Sequence, residues 1–136
     1  MPADARTSKV YDKGRQIRNH RQLSLVAVEE LTLIAEALGI DEIAPGLIGD
    51  NVTLAGAPDL TTWAPMTRLE FTSGAVIITG GANAPCVIAG RMVAAAHDTR
   101  PSAFPKAALG RRGITGGVDA PGEVRVGDGV IVHPPG

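Results

Sequence analysis

The chain has 136 residues, which is enough for one domain with its own hydrophobic core and short for two. Its formal charge of −1 at pH 7 gives no electrostatic reason to expect nucleic acid or an anionic membrane as a partner. Its single cysteine excludes an internal disulfide and any zinc or iron–sulfur site built from several cysteines. Seventeen glycines and ten prolines predict many short elements, which favours a small, mostly β fold over a helix bundle.

The first twenty residues are polar and charged, and they predict a mobile N-terminal arm, followed by a single domain over residues 21–136. The arm contains no apolar stretch like that of a signal peptide. The most apolar region, residues 74–90, is interrupted by glycine, asparagine and proline, so it is not a membrane span. We therefore expect a cytoplasmic protein with no membrane partner.

The first half of the domain contains the clearest helix of the chain. Apolar residues recur at helical spacing from Val28 to Leu38, Glu29 and Glu30 lie in the first turn, and Gly39 suits the C-terminal stop. Around this helix the pattern predicts strands Arg21–Val26 and Asn51–Leu54 and loops over residues 41–50 and 55–65.

The second half begins with a predicted hairpin of Thr67–Phe71 and Ala75–Thr79, with Leu69 and Phe71 on one face. A Gly/Asn/Pro loop then leads to Cys86 and a short alanine-rich helix over residues 87–97. The remainder predicts a loop over 100–105 and strands over 113–118, 122–129 and 130–132.

Cys86 is the first candidate functional residue. A lone cysteine is more often a buried, inert hydrophobe than a reactive group. Here the residue follows Pro85 in a loop after a strand and precedes a helix, whose N-terminus stabilises a thiolate. Such a thiolate can attack an electrophile, carry sulfur as a persulfide or bind a soft metal.

Arginines form the second candidate group. Arg111 and Arg112 lie between two glycines, and Arg21 begins the first predicted strand. Each arginine taken singly is more often a solvated surface residue. Guanidinium groups bind phosphate and carboxylate bidentately, so these residues together with Cys86 predict a pocket for a small anionic ligand. The three histidines show no metal-ligand spacing, and no phosphate-binding or dinucleotide-binding loop is present.

Several short motifs together resemble a MOSC domain, the C-terminal domain of molybdenum cofactor sulfurases. The resemblance runs from about Arg21 to Val132 and rests on the order and spacing of the segments RQLSL, PG, GDNV, TG, PC, GRRG and GEVRVGD. It implies a small β-barrel with a few short helices. It also implies that Cys86 carries sulfur or binds molybdenum, and that a molybdopterin cofactor lies nearby. By position, the cofactor-binding candidates are Arg21, Asn51, Asn83, Arg111 and Arg112, with Asn83 proposed from its place in the cysteine loop.

Three functions follow from this resemblance. The first is a sulfur- or molybdenum cofactor-handling domain that binds a pterin-type anionic ligand. The second is a molybdenum-dependent reductase of N-hydroxylated compounds, which would need an electron-donating partner protein. The third is a non-catalytic interaction module with an inert Cys86. At the level of the family only, pyridoxal phosphate binding is also implied.

The N-terminus departs from the family pattern. Only Asp12 matches the family's early Gly-Asp motif, and no glycine precedes it. The sequence therefore leaves open an incomplete barrel or one closed by a partner subunit, as in a homodimer. Ala27 stands at the helix N-cap where the family commonly has serine, a loss worth about 1 kcal/mol of stability.

Overall fold

The computed structural model describes residues 6–10, 15–17 and 22–135, with the backbone alone described for the first two ranges. The strands are β1 Arg6–Val10, β2 Arg15–Ile17, β3 Gln22–Ala27, β4 Val52–Ala55, β5 Arg68–Phe71, β6 Val76–Ala82, β7 Ile114–Ala120, β8 Gly122–Val124 and β9 Gly129–His133. The helices are α1 Val28–Leu38, α2 Val87–Ala96 and the single turn α3 Phe104–Ala107, with 3₁₀ turns at Leu60–Thr62 and Pro101–Ala103.

Seven of the described strands form a closed barrel in the order β1-β4-β3-β7-β6-β5-β9. Among the described strand pairs only β3 and β4 are parallel, and α1 connects them, because parallel neighbours need a crossover connection. Strands β2 and β8 form a separate antiparallel pair. The predicted mostly β fold, a small barrel with a few short helices, is confirmed.

The N-terminal stretch differs from the prediction of a mobile arm, because β1 and β2 lie within it. Strand β1 pairs with both β4 and β9, so the chain closes its own barrel. This finding corrects both alternatives of an incomplete barrel and one closed by a partner. Strand pairing uses backbone groups and needs no apolar side chains, which is why a polar composition concealed these strands. The motif candidate Asp12 lies outside the described residues.

Strand β3 shows how alternation positions the site. Leu23 and Leu25 are buried in the barrel interior, while Ser24 and Val26 point to the opposite face. Val26 packs against the helices in the second apolar cluster, whereas Ser24 is half-buried and is not part of that cluster. One strand therefore contributes to the barrel core, to the helical layer and to the candidate site.

Two apolar clusters stabilise the fold. The barrel interior is filled mainly by aliphatic side chains around Phe71 and Trp63, as the low aromatic content requires. The second cluster lies outside the barrel, where Ile34 of α1, Val93 of α2 and Phe104 of α3 pack together. Side chains of this size contribute about 1.5–3 kcal/mol each when fully buried. The helical layer is thus fixed against the barrel wall beside the cysteine loop.

Helix α1 has the predicted bounds, and Ala27 provides no side-chain cap. Gly39 adopts a left-handed φ of 73° and its N–H donates to the carbonyls of Ala35 and Glu36. The first-turn carboxylates do more than favour the helix dipole. Glu29 accepts hydrogen bonds from Gly56 N–H at 2.7 Å, and buried Glu30 accepts from Thr61.

Predictions for the shorter segments are partly right. The hairpin of β5 and β6 forms with Leu69 and Phe71 buried. The loop predicted over residues 100–105 instead contains a 3₁₀ turn and the start of α3. Prolines 101 and 105 lie in the first turns of these elements, where the missing N–H costs nothing, and buried Phe104 anchors them.

Candidate functional site

A bulge in β6 sends the chain out of the barrel toward the cysteine loop. Thr79 pairs with Gly116 and Ala82 with Ile114, so Gly80 and Gly81 both face Thr115. A Cβ on Gly80 would lie 2.5 Å from the Thr115 hydroxyl, so the position favours glycine. The strand ends at Ala82, and the four residues that follow cross to the start of α2.

Cys86 is exposed and lies at the N-cap of α2. The pKa of its thiol is lowered chiefly by the backbone amides of Ala89 and Ile88, which stabilise the thiolate. Slight desolvation opposes this effect, and the positive charge of Arg112 adds to it. The sequence-based expectation of a thiolate at a helix N-terminus therefore has a geometric basis, and the exposed sulfur is accessible to a reactant.

Ser24 is the centre of a hydrogen-bond network beside this loop. Its backbone N–H donates to Asn51 Oδ1 at 2.8 Å, and its carbonyl accepts from Asn51 N–H at 2.8 Å. Its hydroxyl oxygen accepts from Asn83 Nδ2 and from Arg112 Nη1, each at 3.3 Å. Asn83 also donates its backbone N–H to Gly113 O at 2.9 Å. Through its hydroxyl and its backbone, Ser24 thus joins three residues that are distant in sequence.

Arg112 is only 8% exposed and lies between the network and a buried carboxylate. Its Nη2 donates to Ile48 O at 3.1 Å. Burial lowers the pKa of the guanidinium, while the charges of Asp50 and Cys86 act in the opposite direction. Asp50 accepts from Gly46 N–H at 2.9 Å and from the Thr53 hydroxyl. The arginine is therefore a fixed cation whose positive charge acts on the thiol from within the protein.

The Gly-Arg-Arg-Gly segment separates its two arginines. Gly113 has φ +92°, and a Cβ there would lie 2.0 Å from Leu25 O, so the backbone is pressed against β3. Its N–H donates to the Thr61 hydroxyl at 2.9 Å, and that hydroxyl donates to Glu30. Burial raises the pKa of Glu30. This anchor directs Arg112 inward, whereas half-buried Arg111 lines a separate cleft.

The structure therefore brings together Cys86, Asn51, Asn83 and Arg112, and it places Arg111 elsewhere. Arg21 lies outside the described residues. Sequence reasoning missed two participants, Ser24 and Asp50. Ser24 could have been found as a polar side chain on the outer face of β3, between the buried Leu23 and Leu25. Asp50 gave no signal, since its partners depend on the tertiary fold.

The donor set limits what the site can bind. Among residues 22–135, no group of three or more histidine, cysteine or acidic side chains is placed to hold a metal ion. A metal here would take Cys86 as its single cysteine ligand and need further ligands from a bound cofactor. One exposed thiolate-forming sulfur beside a buried cation fits a soft metal in an anionic organic cofactor, or a sulfane sulfur.

Comparison with known proteins identifies the family to which this barrel and its cysteine loop belong. The sequence profile of the MOSC domain matches residues 12–131 of the chain. The chain belongs to the MOSC domain family.

The chain is similar to YuaD of Bacillus subtilis, a protein named for metal-sulfur cluster biosynthesis. The two are 39% identical over 127 residues, which cover 91% of this chain and 66% of YuaD, slightly less than two thirds. The crystal structure of YuaD superposes with a TM-score of 0.79 at 31% identity, covering 95% of this chain and 86% of that one.

Two more distant structures share the fold. YiiM from Geobacillus stearothermophilus matches with a TM-score of 0.67 at 17% identity, covering 92% of this chain and 72% of that one. YiiM from Escherichia coli also matches with a TM-score of 0.67, at 16% identity, covering 95% of this chain and 69% of that one.

In the part of the chain that is described, every helix is too short or too polar to span a bilayer.

Proposed function

We propose that the chain handles sulfur for a molybdenum cofactor, with Cys86 as the sulfur carrier. The observation that carries the proposal is the exposed Cys86 thiol with a lowered pKa, which two backbone amides and Arg112 favour as thiolate. Membership of a family associated with molybdenum cofactor sulfurases supports the proposal. The name of YuaD, which refers to metal-sulfur cluster biosynthesis, is consistent with sulfur chemistry.

The proposed reaction is a persulfide exchange that is neutral in electrons. The Cys86 thiolate attacks the outer sulfur of a persulfide on a donor protein. A sulfur–sulfur bond forms to Cys86 while the donor's sulfur–sulfur bond breaks, and the donor leaves as a thiolate with that electron pair. The amides of Ala89 and Ile88 lower the basicity of the attacking sulfur, and they also stabilise the anionic persulfide that results.

The neighbouring residues have distinct roles in this proposal. Arg112 keeps a positive charge near the sulfur, and Ser24 fixes its guanidinium. Asn51 and Asn83 hold Ser24 and the cysteine loop in place. When bound, a molybdenum cofactor would supply a soft metal centre that takes the carried sulfur or the Cys86 thiolate as a ligand. Such a carrier needs a compartment that keeps thiols reduced, which fits a cytoplasmic protein.

The test uses the lone cysteine, so every thiol signal belongs to Cys86. Intact-protein mass spectrometry after incubation with a cysteine desulfurase and cysteine is expected to show a gain of one sulfur atom that a reductant removes. The Cys86→Ser variant controls for adventitious sulfur. Failure of the native protein to gain sulfur, or slow thiol modification that requires denaturant, refutes the carrier role and favours an inert cysteine.

A second measurement addresses the cofactor. Protein purified from a host that makes molybdenum cofactor is analysed for molybdenum and pterin, beside Cys86→Ala prepared in the same way. Loss of both components in the variant supports ligation of the cofactor by Cys86. Equal content in the two proteins argues against ligation by this thiol and leaves the sulfur-gain experiment to decide the carrier role.

A further inference from the structure

A cleft of about 1070 Å³ lies between the C-terminal end of α1 and the segment 98–111. Its volume is slightly above the roughly 300–1,000 Å³ that is usual for ligand pockets. Its lining includes Arg111 but none of the four residues gathered at the cysteine site. The cleft is therefore a separate feature of the molecule, on the outer side of the Gly-Arg-Arg-Gly loop.

The charges that line the cleft are unbalanced. Arg100, Lys106 and Arg111 all lie on the segment 98–111, and Asp98 is the one acidic residue among the lining residues. No described carboxylate forms an ion pair with any of these three cations. The charge of Arg111 reaches buried Glu30 and favours its ionised form. An excess of positive charge around one cleft favours an anionic ligand there.

The cleft also has an apolar wall. Leu38 at the end of α1 and Leu109 after α3 line it together with small alanines. Leu109 is 74% exposed, more than any other large hydrophobic side chain in the described part of the chain. Burial of such a side chain by the apolar part of a ligand is favourable, because it removes apolar surface from water. The lining therefore suits an anion that carries an apolar body, better than a bare inorganic ion.

We infer that this cleft binds a small molecule carrying a phosphate group on an apolar body. The two arginine forks match phosphate oxygens bidentately, and Lys106 adds a point charge. The hydroxyls of Thr99 and Ser102, which also line the cleft, supply further donors. The organic body packs against the leucine wall. The inference goes beyond the sulfur chemistry proposed above and shares no side chain with it.

The test is a titration of the full chain, followed by amide chemical shifts in ¹⁵N-labelled protein. The probes are 1-naphthyl phosphate, inorganic phosphate and 1-naphthol, which separate the two halves of the proposed ligand. Naphthyl phosphate is expected to bind at least tenfold more tightly than either simpler probe and to shift amides between residues 98 and 111. Equal affinity for inorganic phosphate, or shifts spread over the whole surface, overturns the inference.

Variants locate the binding. Arg111→Gln is expected to weaken naphthyl phosphate binding roughly tenfold, the loss of one charge-assisted contact. Arg91→Gln is the matched control, since this exposed α2 arginine does not line the cleft and should leave affinity unchanged. Cys86→Ser should also bind normally, so failure here and failure of the sulfur proposal are distinguishable. Tighter binding of a polyglutamate peptide than of naphthyl phosphate overturns the ligand class.

Discussion

Replacing Arg112 by glutamine removes the buried cation on which the cysteine site depends. The change deletes charged donors to Ser24 Oγ and Ile48 O and removes the positive charge that acts on Asp50 and Cys86. Glutamine is shorter and neutral, so it cannot restore both contacts. The variant therefore probes the stability of the fold and the ionisation of the thiol in one substitution.

The expected loss of stability is about 3 kcal/mol. Hydrogen bonds from a charged donor contribute roughly 1.5–3 kcal/mol each, and the 3.3 Å contact to Ser24 belongs at the low end. The attraction between this charge and buried Asp50 is lost as well, which adds to the cost. Burial of the guanidinium itself is unfavourable, as its lowered pKa indicates, and this partly offsets the sum. In a chain of this size the loss corresponds to a fall in Tm of about 10 °C.

Urea denaturation measures the loss of stability, and the pH dependence of thiol alkylation measures the pKa of Cys86. The alkylation curve of Arg112→Gln is expected to move to higher pH, because the thiolate loses an attracting charge. Arg91→Gln is the control for a simple loss of positive charge and should stay within about 0.5 kcal/mol of the native protein.

Two results would refute this reasoning. Stability of Arg112→Gln within about 0.5 kcal/mol of the native protein would mean that the buried arginine is not a structural cation. A destabilised variant whose alkylation curve coincides with that of the native protein would mean that its charge does not reach the sulfur.

Three further predictions concern other positions. Because folding lowers the pKa of the Cys86 thiol, the thiolate adds stability at pH values above the ordinary pKa of 9.0, and this stability is lost as pH falls through the folded-state pKa. The difference in unfolding free energy between the native protein and Cys86→Ser should therefore grow with pH. A difference that stays constant with pH in urea titrations contradicts the prediction. Because folding raises the pKa of Glu30, the protonated carboxyl adds stability at pH values below the ordinary pKa of 4.5, and this stability is lost as pH rises through the folded-state pKa. Glu30→Gln should therefore flatten the dependence of Tm on pH between these two pKa values. An unchanged slope argues against the prediction. Gly90→Ala should lose about 1–3 kcal/mol of unfolding free energy in urea denaturation although alanine favours helices, because its Cβ would lie 2.1 Å from Pro101 O. Gly117→Ala is the control, because a Cβ there meets open space. Equal stability of the two variants would exclude the clash.

The sequence was sufficient to predict elements with a strong local signal. Helix α1 has apolar periodicity, first-turn carboxylates and a C-terminal glycine, and all three indicate the same bounds. Strand β1 could not be predicted in this way, because its pairing partners β4 and β9 are far away in sequence. Residues that form structure only through distant backbone pairing leave little pattern in their own composition.

The candidate site shows the same division. Cys86 was identifiable because its environment is local: a loop before it and a helix after it. Arg111 and Arg112 are adjacent and chemically identical, and their different directions depend on the left-handed Gly113 pressed against β3. The role of Ser24 likewise depends on three contacts from residues remote in sequence. Local sequence predicts which residues carry chemistry, and tertiary contacts decide which of them share a site.

The closure of the barrel by β1 has a consequence for how the protein is made. Arg6 pairs with Val132 and Lys9 with Gly129, so the first described strand meets the last one. During synthesis β1 leaves the ribosome long before β9 is made. The edge of β1 that pairs with β9 therefore stays unpaired until residues 129–133 have been synthesised. Until then β1 can pair only with β4, and the barrel stays open between β1 and β5. A nascent chain halted before residue 129 should therefore be degraded or held by chaperones, and full protection from proteolysis should appear only after β9 is released.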